Sequence, residues 1–183
     1  DRSTGRFHAF RRNDRDASSL SDDTIYALHA DATGNVWIGT AGGGLDRVVG
    51  SSDRPDAIQF RSDTRLANMP SQGGYGIESD YQGNLWLSTN NGLVRLDPRE
   101  GATRLLREPH GLQADEFNFN AHYRGRDGTL YFGGNGGFNA FQPDVFSPGM
   151  PAPRVALTSV AILNQQLPFP QLPAPDRPLA LEH

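Results

Sequence analysis

The 183-residue sequence contains no cysteine and no lysine, so all 17 of its basic residues are arginines. Without lysine, the chain cannot form a phosphate-binding loop of the G-x-x-x-x-G-K-[ST] type, a Schiff base or a lysine general base. Without cysteine, disulfides, thiolate catalysis and cysteine-ligated metal centres are excluded. Long apolar runs are also lacking, because the longest one, residues 155–163, is interrupted by Thr158 and Ser159. That run is far shorter than a membrane span, so we expect no membrane contact by this segment.

A basic surface is the next missing feature. The net charge of −4 provides no positive stripe for phosphate backbones, so we expect no nucleic-acid partner. What the chain has in excess is turn-forming residues, with 21 glycines and 13 prolines, which is typical of a loop-rich β protein. It begins at Asp1 without methionine or a signal peptide and ends in Leu-Glu-His, like a purification-tag scar. We interpret it as an excised piece of a larger protein.

A repeated segment determines the predicted fold. The stretch D-A-T-G-N-V-W-I-G-T at 31–40 recurs as D-Y-Q-G-N-L-W-L-S-T at 80–89, and a weaker copy, G-R-D-G-T-L-Y-F-G-G, occupies 125–134. Each copy continues through a second glycine turn into a short apolar strand. The structural positions of the repeat are Gly34, Trp37 and Gly44, then Gly83, Trp86 and Gly92, then Gly128, Tyr131 and Gly137.

This repeat predicts propeller blades. A period in the forties with several short strands per copy is typical of a four-stranded antiparallel meander. We expect inner strands at about 24–30, 73–79 and 118–124, central strands at 36–40, 85–89 and 129–133, and outer strands at 57–61 and 103–107. Consecutive apolar residues such as Val-Trp-Ile indicate strands covered on both faces. Small residues follow each triplet, namely Gly39, Ser88 and Gly133, and would allow neighbouring sheets to approach closely.

The fold class is therefore all-β, with about three four-stranded antiparallel blades of an incomplete propeller and the initial strand of a following β domain. The predicted segments are 1–19, the outer strand of a preceding blade and a loop; 20–61, 62–108 and 109–146, three blades; 147–153, a linker; 154–167, the start of the next β domain; and 168–183, a proline-rich tail with the tag scar. Three blades leave faces and edges uncovered. We therefore expect self-association, or pairing of the N-terminal strand with the last blade.

The pattern D-x-x-G-N-[VL]-W-[IL]-[GS]-T followed by G-L-x-R-[VL], at 31–48 and 80–96, resembles the two-component regulator propeller repeat. The third copy resembles the last blade of that family, and residues 154–163 resemble the opening strand of its immunoglobulin-like Y_Y_Y domain. The resemblance thus implies an incomplete seven-bladed propeller followed by the initial strand of an Ig-like β domain. The resemblance implies a sensor region on the periplasmic side of the bacterial inner membrane. It also implies an output domain elsewhere in the protein, either a histidine kinase or a GGDEF diguanylate cyclase.

Candidate binding residues lie where propellers usually bind ligands, in the loops between blades and the turns after the central strands. They are Asp22, Asp23, Asn90, Asn91, Asp115, Glu116 and Asn135. Their amides and carboxylates suit a polar ligand such as an oligosaccharide, although solvated turns have the same composition. The histidines are scattered, and the D-x-D at 14–16 lacks the rest of a calcium loop. We therefore predict no catalytic residue, metal or cofactor.

Three functions remain open. The first is a non-catalytic sensor segment. The second is a propeller enzyme, such as a lyase or a quinoprotein-like dehydrogenase, for which His122, Asn118 and Asn120 are the channel candidates, all from one blade. The third is a protein-interaction platform without a small ligand.

Overall fold

The computed structural model describes residues 5–50, 54, 57–63, 66, 73–146, 161–162 and 165–166, and folds them into antiparallel sheets in chain order. The first sheet contains β1 (Ile25–Ala30), β2 (Val36–Thr40), β3 (Leu45–Val49) and β4 (Gln59–Ser62). The second contains β5 (Gly76–Ser79), β6 (Leu85–Thr89), β7 (Gly92–Leu96) and β8 (Thr103–Leu106). The third contains β9 (Phe117–Arg124), β10 (Leu130–Gly134) and β11 (Gly137–Phe141).

The all-β prediction is confirmed, because each sheet is a meander in which every strand pairs with the next along the chain. The third sheet differs from the expected blade in having three strands, in the order β11-β10-β9. After β11 the chain enters a 3₁₀ helix, Pro143–Phe146, instead of returning along the sheet edge. Pro143 lacks the N–H group that a ladder requires, which favours leaving the sheet at this point.

Residues 1–19 are predicted to contain the outer strand of a preceding blade and a loop, and the described residues 5–19 form a loop without a strand. Phe7 is fully exposed, and Phe10 packs edge-on against Phe60 with ring centroids 5.3 Å apart. The segment also does not add to the third sheet. A strand needs a partner edge, and the preceding blade to which this one would belong is not among the described residues.

The core consists of side chains that pack between neighbouring sheets. One cluster joins the first and second sheets and includes Trp37, Leu45 and Ile77. Another joins the second and third sheets and includes Trp86 and Phe117. The second sheet is covered on both faces, and every residue of β6 is buried. This burial explains why the apolar residues of its triplet are consecutive and do not alternate with polar ones.

In the first two copies of the repeat, an aspartate six residues before the tryptophan accepts a hydrogen bond from the indole N–H. Trp37 Nε1 donates to Asp31 Oδ2 at 2.8 Å, and Trp86 Nε1 donates to Asp80 Oδ2 at 3.0 Å. In the third copy Tyr131 replaces the tryptophan, and glycine replaces the aspartate at position 125. The indole donor and its acceptor are therefore absent from the same copy.

Replacing Asp31 with asparagine should reduce the acid sensitivity of folding. Burial alone would raise the pKa of Asp31, but hydrogen bonds from Trp37, Thr33 and Asn35 outweigh it and hold the pKa well below the usual 3.8. Because the folded-state pKa is the lower one, this stabilisation is complete above the unfolded pKa and is lost as pH falls below it. Urea unfolding between neutral pH and pH 3 should show a shallower loss of stability in Asp31→Asn than in wild type. If the free energy of unfolding depends on pH equally in the two proteins, the lowered pKa assigned to Asp31 is contradicted.

The described residues fall into two compact units, divided between residues 147 and 148. In the second unit, β12 (Ala161–Ile162) pairs antiparallel with β13 (Gln165–Gln166). The predicted linker 147–153, most of the strand predicted at 154–163 and the tail 168–183 lie outside the described residues. In the part of the chain that the structure describes, no helix combines the length and apolarity needed to cross a membrane.

Candidate functional site

The predicted ligand-binding residues lie at one end of the sheets, which we call the loop face. In an antiparallel meander, the connection into the first strand and the turn between the second and third strands lie at the same end. The loop face therefore contains the connections into β1, β5 and β9 together with the β2–β3, β6–β7 and β10–β11 turns.

Three of the predicted carboxylates are engaged in holding the backbone. Asp22 Oδ1 accepts the N–H of Thr24 at 2.7 Å, and Asp23 Oδ1 accepts the N–H of Arg12 at 2.6 Å. Asp115 Oδ1 accepts the N–H of Glu108 at 2.7 Å. These side chains set the shape of the loops, as aspartates in turns commonly do.

The other predicted residues meet where the second and third sheets adjoin. Gly92, which follows Asn91, donates its N–H to the carbonyl of Asp115 at 2.6 Å, and Asn135 donates its N–H to the carbonyl of Glu116 at 3.3 Å. The side chains of Glu116 and Asn135 are exposed, and neither forms a side-chain hydrogen bond with the described part of the protein. Asn90 is exposed and Asn91 half-buried on the adjacent turn, whereas no hydrogen bond among described residues joins Asp22 or Asp23 to this group.

A second polar site lies on the inner strands of the three sheets, where His29, Glu78 and His122 come together. Glu78 of β5 lies between the two imidazoles: its Oε1 is 3.0 Å from His122 Nδ1, and its Oε2 is 4.0 Å from His29 Nδ1. His29 Nε2 also lies 2.9 Å from Ser79 Oγ. The side chains are 14–19% exposed, so the cluster is largely withdrawn from water. One carboxylate thus connects the inner strands of all three sheets.

An aromatic layer lies next along the same strands and is formed by Tyr26, Tyr75 and Phe119. Their ring centroids are 4.1–5.4 Å apart. Phe119 joins the layer beside a break in the pairing of β9 with β10, where Asn120 adopts a φ of 57°. This left-handed backbone is tolerated best by asparagine among non-glycine residues. Tyr26 and Tyr75 lie eight residues before the turn glycines Gly34 and Gly83, whereas Phe119 lies nine before Gly128, and the break accommodates this offset.

The environment of His29 favours its neutral imidazole. Burial lowers the pKa of His29 below its usual 6.5, and the Glu78 carboxylate opposes this shift. Burial also raises the pKa of Tyr75 in the neighbouring layer. Because the folded pKa of His29 is the lower one, its protonation destabilises the fold as pH falls through 6.5.

The sequence-based expectation that only the third blade contributes channel residues is wrong, because His29 and Glu78 reach the same point from the other two blades. The sequence does contain a pattern that would have located this cluster. Each member of the cluster follows a member of the aromatic layer by three residues, at 26 and 29, 75 and 78, and 119 and 122. In the described part of the chain, no group of three or more histidine, aspartate and glutamate side chains is arranged to hold a metal ion.

Comparisons with known proteins bear on the repeat and on the fold. The Two component regulator propeller family matches residues 19–42, which contain β1 and β2. Histidine kinase P4 of Formosa agariphila is 33% identical over 73 residues, which are 40% of this chain and 5% of that protein. The chain thus spans a small fraction of that relative's length.

Two solved structures share the fold at low sequence identity. The extracellular domain of a one component system from B. thetaiotaomicron has a TM-score of 0.58 at 19% identity, over 77% of this chain and 19% of that one. A second structure of the extracellular domain of that same protein, there described as a hybrid two component system, has a TM-score of 0.50 at 18% identity, over 67% of this chain and 16% of that one. The chain is therefore similar in fold to this extracellular domain, and its residues 19–42 match a regulator propeller repeat.

Proposed function

We propose that this chain is a non-catalytic, ligand-binding propeller segment of a transmembrane signalling protein, located on the periplasmic side of a bacterial inner membrane. The observation that carries the proposal is the regulator propeller match at 19–42, since the geometry of that sheet recurs in the second sheet. The likeness to a histidine kinase supports a kinase output, with a GGDEF diguanylate cyclase as the other possible output. The start of a Y_Y_Y domain after the linker belongs to the same proposal.

The proposed ligand is a polar molecule such as an oligosaccharide, bound at the loop face. Glu116 and Asn135 are the strongest candidates to contact it, because they are exposed and adjacent and their side chains are not engaged in shaping the loops. Asn90 and Asn91 extend the same polar surface. Asp22, Asp23 and Asp115 would act indirectly, by fixing the loops that carry the contacts.

A thermal-shift screen of oligosaccharides against the chain tests this proposal. A ligand at about 100 times its dissociation constant should stabilise the protein by about 2.7 kcal/mol. The double variant Glu116→Gln, Asn135→Ala should lose that stabilisation. Glu100→Gln is the matched control, because Glu100 is an exposed glutamate in the turn between β7 and β8, at the opposite end of the sheets.

Two results of the screen would contradict the loop-face site. One is stabilisation that survives the double variant unchanged. The other is equal loss of stabilisation in Glu100→Gln, which would indicate a general effect of charge. Stabilisation by no member of the screen would favour the interaction platform.

Self-association through uncovered blade faces is part of the proposal. Tyr123 and Phe138 of the third sheet are 62% and 68% exposed, and both lie beside Tyr131, with centroid distances of 6.2 and 6.4 Å. Leu28 of the first sheet is also 68% exposed. Apolar side chains in such a row favour burial against another surface. Sedimentation of the chain as a monomer at all concentrations would contradict self-association.

A propeller enzyme is the second candidate function, and the convergence of His29, Glu78 and His122 from three sheets is the observation that favours it. A carboxylate between two imidazoles can orient them for proton transfer. The contacts within the cluster are also sufficient as a structural link between blades. Turnover of an oligosaccharide by the wild-type chain that is lost in Glu78→Gln would favour the enzyme over the sensor segment.

A further inference from the structure

A cavity of about 340 Å³ lies at the end of the sheets opposite the loop face. Its walls come from the β1–β2 and β5–β6 turns, the β7–β8 turn, β3 and the end of β9. A third arginine of the lining, Arg99 of the β7–β8 turn, pairs with Asp97 and donates to the carbonyl of Gln82. The lining residues on which the inference depends are Asp31, Trp37, Arg47, Asp80, Tyr81 and Arg124. The volume is within the range of small-molecule sites, near its lower end.

Two arginines of this cavity are stacked on aromatic rings. The guanidinium carbon of Arg47 lies 5.9 Å from the centroid of Trp37, which is its cross-strand neighbour. The guanidinium carbon of Arg124 lies 4.3 Å from the centroid of Tyr81. Stacking of this kind holds a guanidinium in place while its edge remains available for hydrogen bonds. Both residues are half-buried, so water solvates them only in part.

Arg47 and Arg124 form no ion pair or side-chain hydrogen bond with the described part of the chain. The cavity is also lined by the carboxylates of Asp31 and Asp80, whose hydrogen bonds come from neutral donors. Asp31 accepts hydrogen bonds from Trp37 Nε1, Thr33 and Asn35, with distances of 2.7–3.0 Å. Asp80 likewise accepts from Trp86 Nε1, Asn84 and Gln82, with distances of 2.9–3.0 Å.

We propose that this cavity binds a small oxyanion, with a carboxylate as the group recognised, through Arg47 and Arg124. A half-buried guanidinium that forms no ion pair is stabilised by an anionic ligand, and its planar fork matches a carboxylate in geometry. The ligand would connect β3 of the first sheet to β9 of the third sheet, across the β5–β6 turn of the second sheet. The site does not depend on the proposed loop-face site, because the two share no residue.

Titration of the ¹⁵N-labelled chain with sodium malonate, at constant ionic strength, tests the proposal. The chain has two tryptophans, and the indole N–H of Trp37 reports on the cavity because Trp37 lines it. We expect a saturable shift of that signal with malonate and none with malonamide, its neutral analogue. Arg47→Gln and Arg124→Gln should each weaken malonate binding about tenfold or more, since each removes hydrogen bonds between charged groups.

Arg126→Gln is the matched control, because Arg126 is exposed, lies two residues from Arg124 and does not line the cavity. It should bind malonate as the wild type does. A malonate shift that never saturates, or equal weakening in Arg126→Gln, would overturn the proposal. If Arg124→Gln does not fold, Arg124→Lys keeps the charge but not the planar fork. Weaker binding in Arg124→Lys would support the proposal, and unchanged binding would overturn it.

Discussion

Replacing Trp86 with alanine is expected to lower the free energy of unfolding by about 3–5 kcal/mol. Trp86 is fully buried in the cluster between the second and third sheets, and its ring centroid lies 4.9 Å from that of Phe141. The substitution removes this packing and also leaves Asp80 without its indole donor. Because domains of this size are stable by only about 5–15 kcal/mol, much of the total stability would be lost.

The Trp86 prediction should be measured by urea unfolding followed by far-ultraviolet circular dichroism, since the substitution removes a fluorescent reporter. Trp86→Phe is the matched variant: it keeps most of the apolar volume but cannot donate to Asp80. Its cost should be smaller, about 1.5–3 kcal/mol, which is typical of losing one hydrogen bond to a charged group, because Asp80 keeps its hydrogen bonds from Asn84 and Gln82. Equal destabilisation by alanine and phenylalanine would contradict the assigned importance of packing.

Replacing Gly39 with valine is expected to destabilise the protein by about 3 kcal/mol, through overpacking between the first and second sheets. A Cβ atom at position 39 would lie 2.5 Å from the carbonyl oxygen of Gly74. The backbones are also joined there, because the N–H of Gly74 donates to the carbonyl of Thr40 at 3.2 Å. The obstacle is backbone and cannot rotate away, so the two sheets would have to separate. The sequence-based prediction of close approach at Gly39 is thereby confirmed.

Ser88 offers the matched control, because it occupies the corresponding position of the second sheet and already carries a Cβ. Its buried Oγ has no hydrogen-bond partner, so Ser88→Ala should change the free energy of unfolding little. The comparison of Gly39→Ala with Ser88→Ala then isolates the effect of sheet approach. Similar urea midpoints for these two alanine variants would show that the contact at Gly39 is more tolerant than its geometry indicates.

The strand pattern was predictable because it depends on short-range chemistry. Glycine turns at fixed spacing and apolar triplets between them are local signals, and the central strands at 36–40 and 85–89 lie where they predict. The role of Asp31 and Asp80 as acceptors for the tryptophans was not recognised, although both lie inside the repeat. The third copy has Gly125 in place of the aspartate and Tyr131 in place of the tryptophan. This joint loss is the signal that would have revealed the pairing of aspartate with tryptophan.

Prediction failed where a segment depends on a partner outside itself. Residues 5–10 have the composition of an edge strand, but no blade is present among the described residues to pair with them. At the loop face, too, the role of a side chain depends on partners elsewhere in the chain. The sequence does not distinguish Asp115, which accepts a backbone N–H, from the neighbouring Glu116, which remains exposed.

By itself, the sequence determined the all-β class, the meander within each sheet and the small residues at the sheet contacts, because turn chemistry and strand periodicity act over a few residues. Only the tertiary structure decided which side chains meet between sheets. His29, Glu78 and His122 are separated by more than forty residues at each step, as are Arg47 and Arg124. Their contacts depend on how one sheet is rotated against the next, and no local pattern in the chain encodes that rotation. The absence of lysine excluded several reactions, but only the packed sheets show that Arg47 and Arg124 line one cavity and form no ion pair with the described part of the chain.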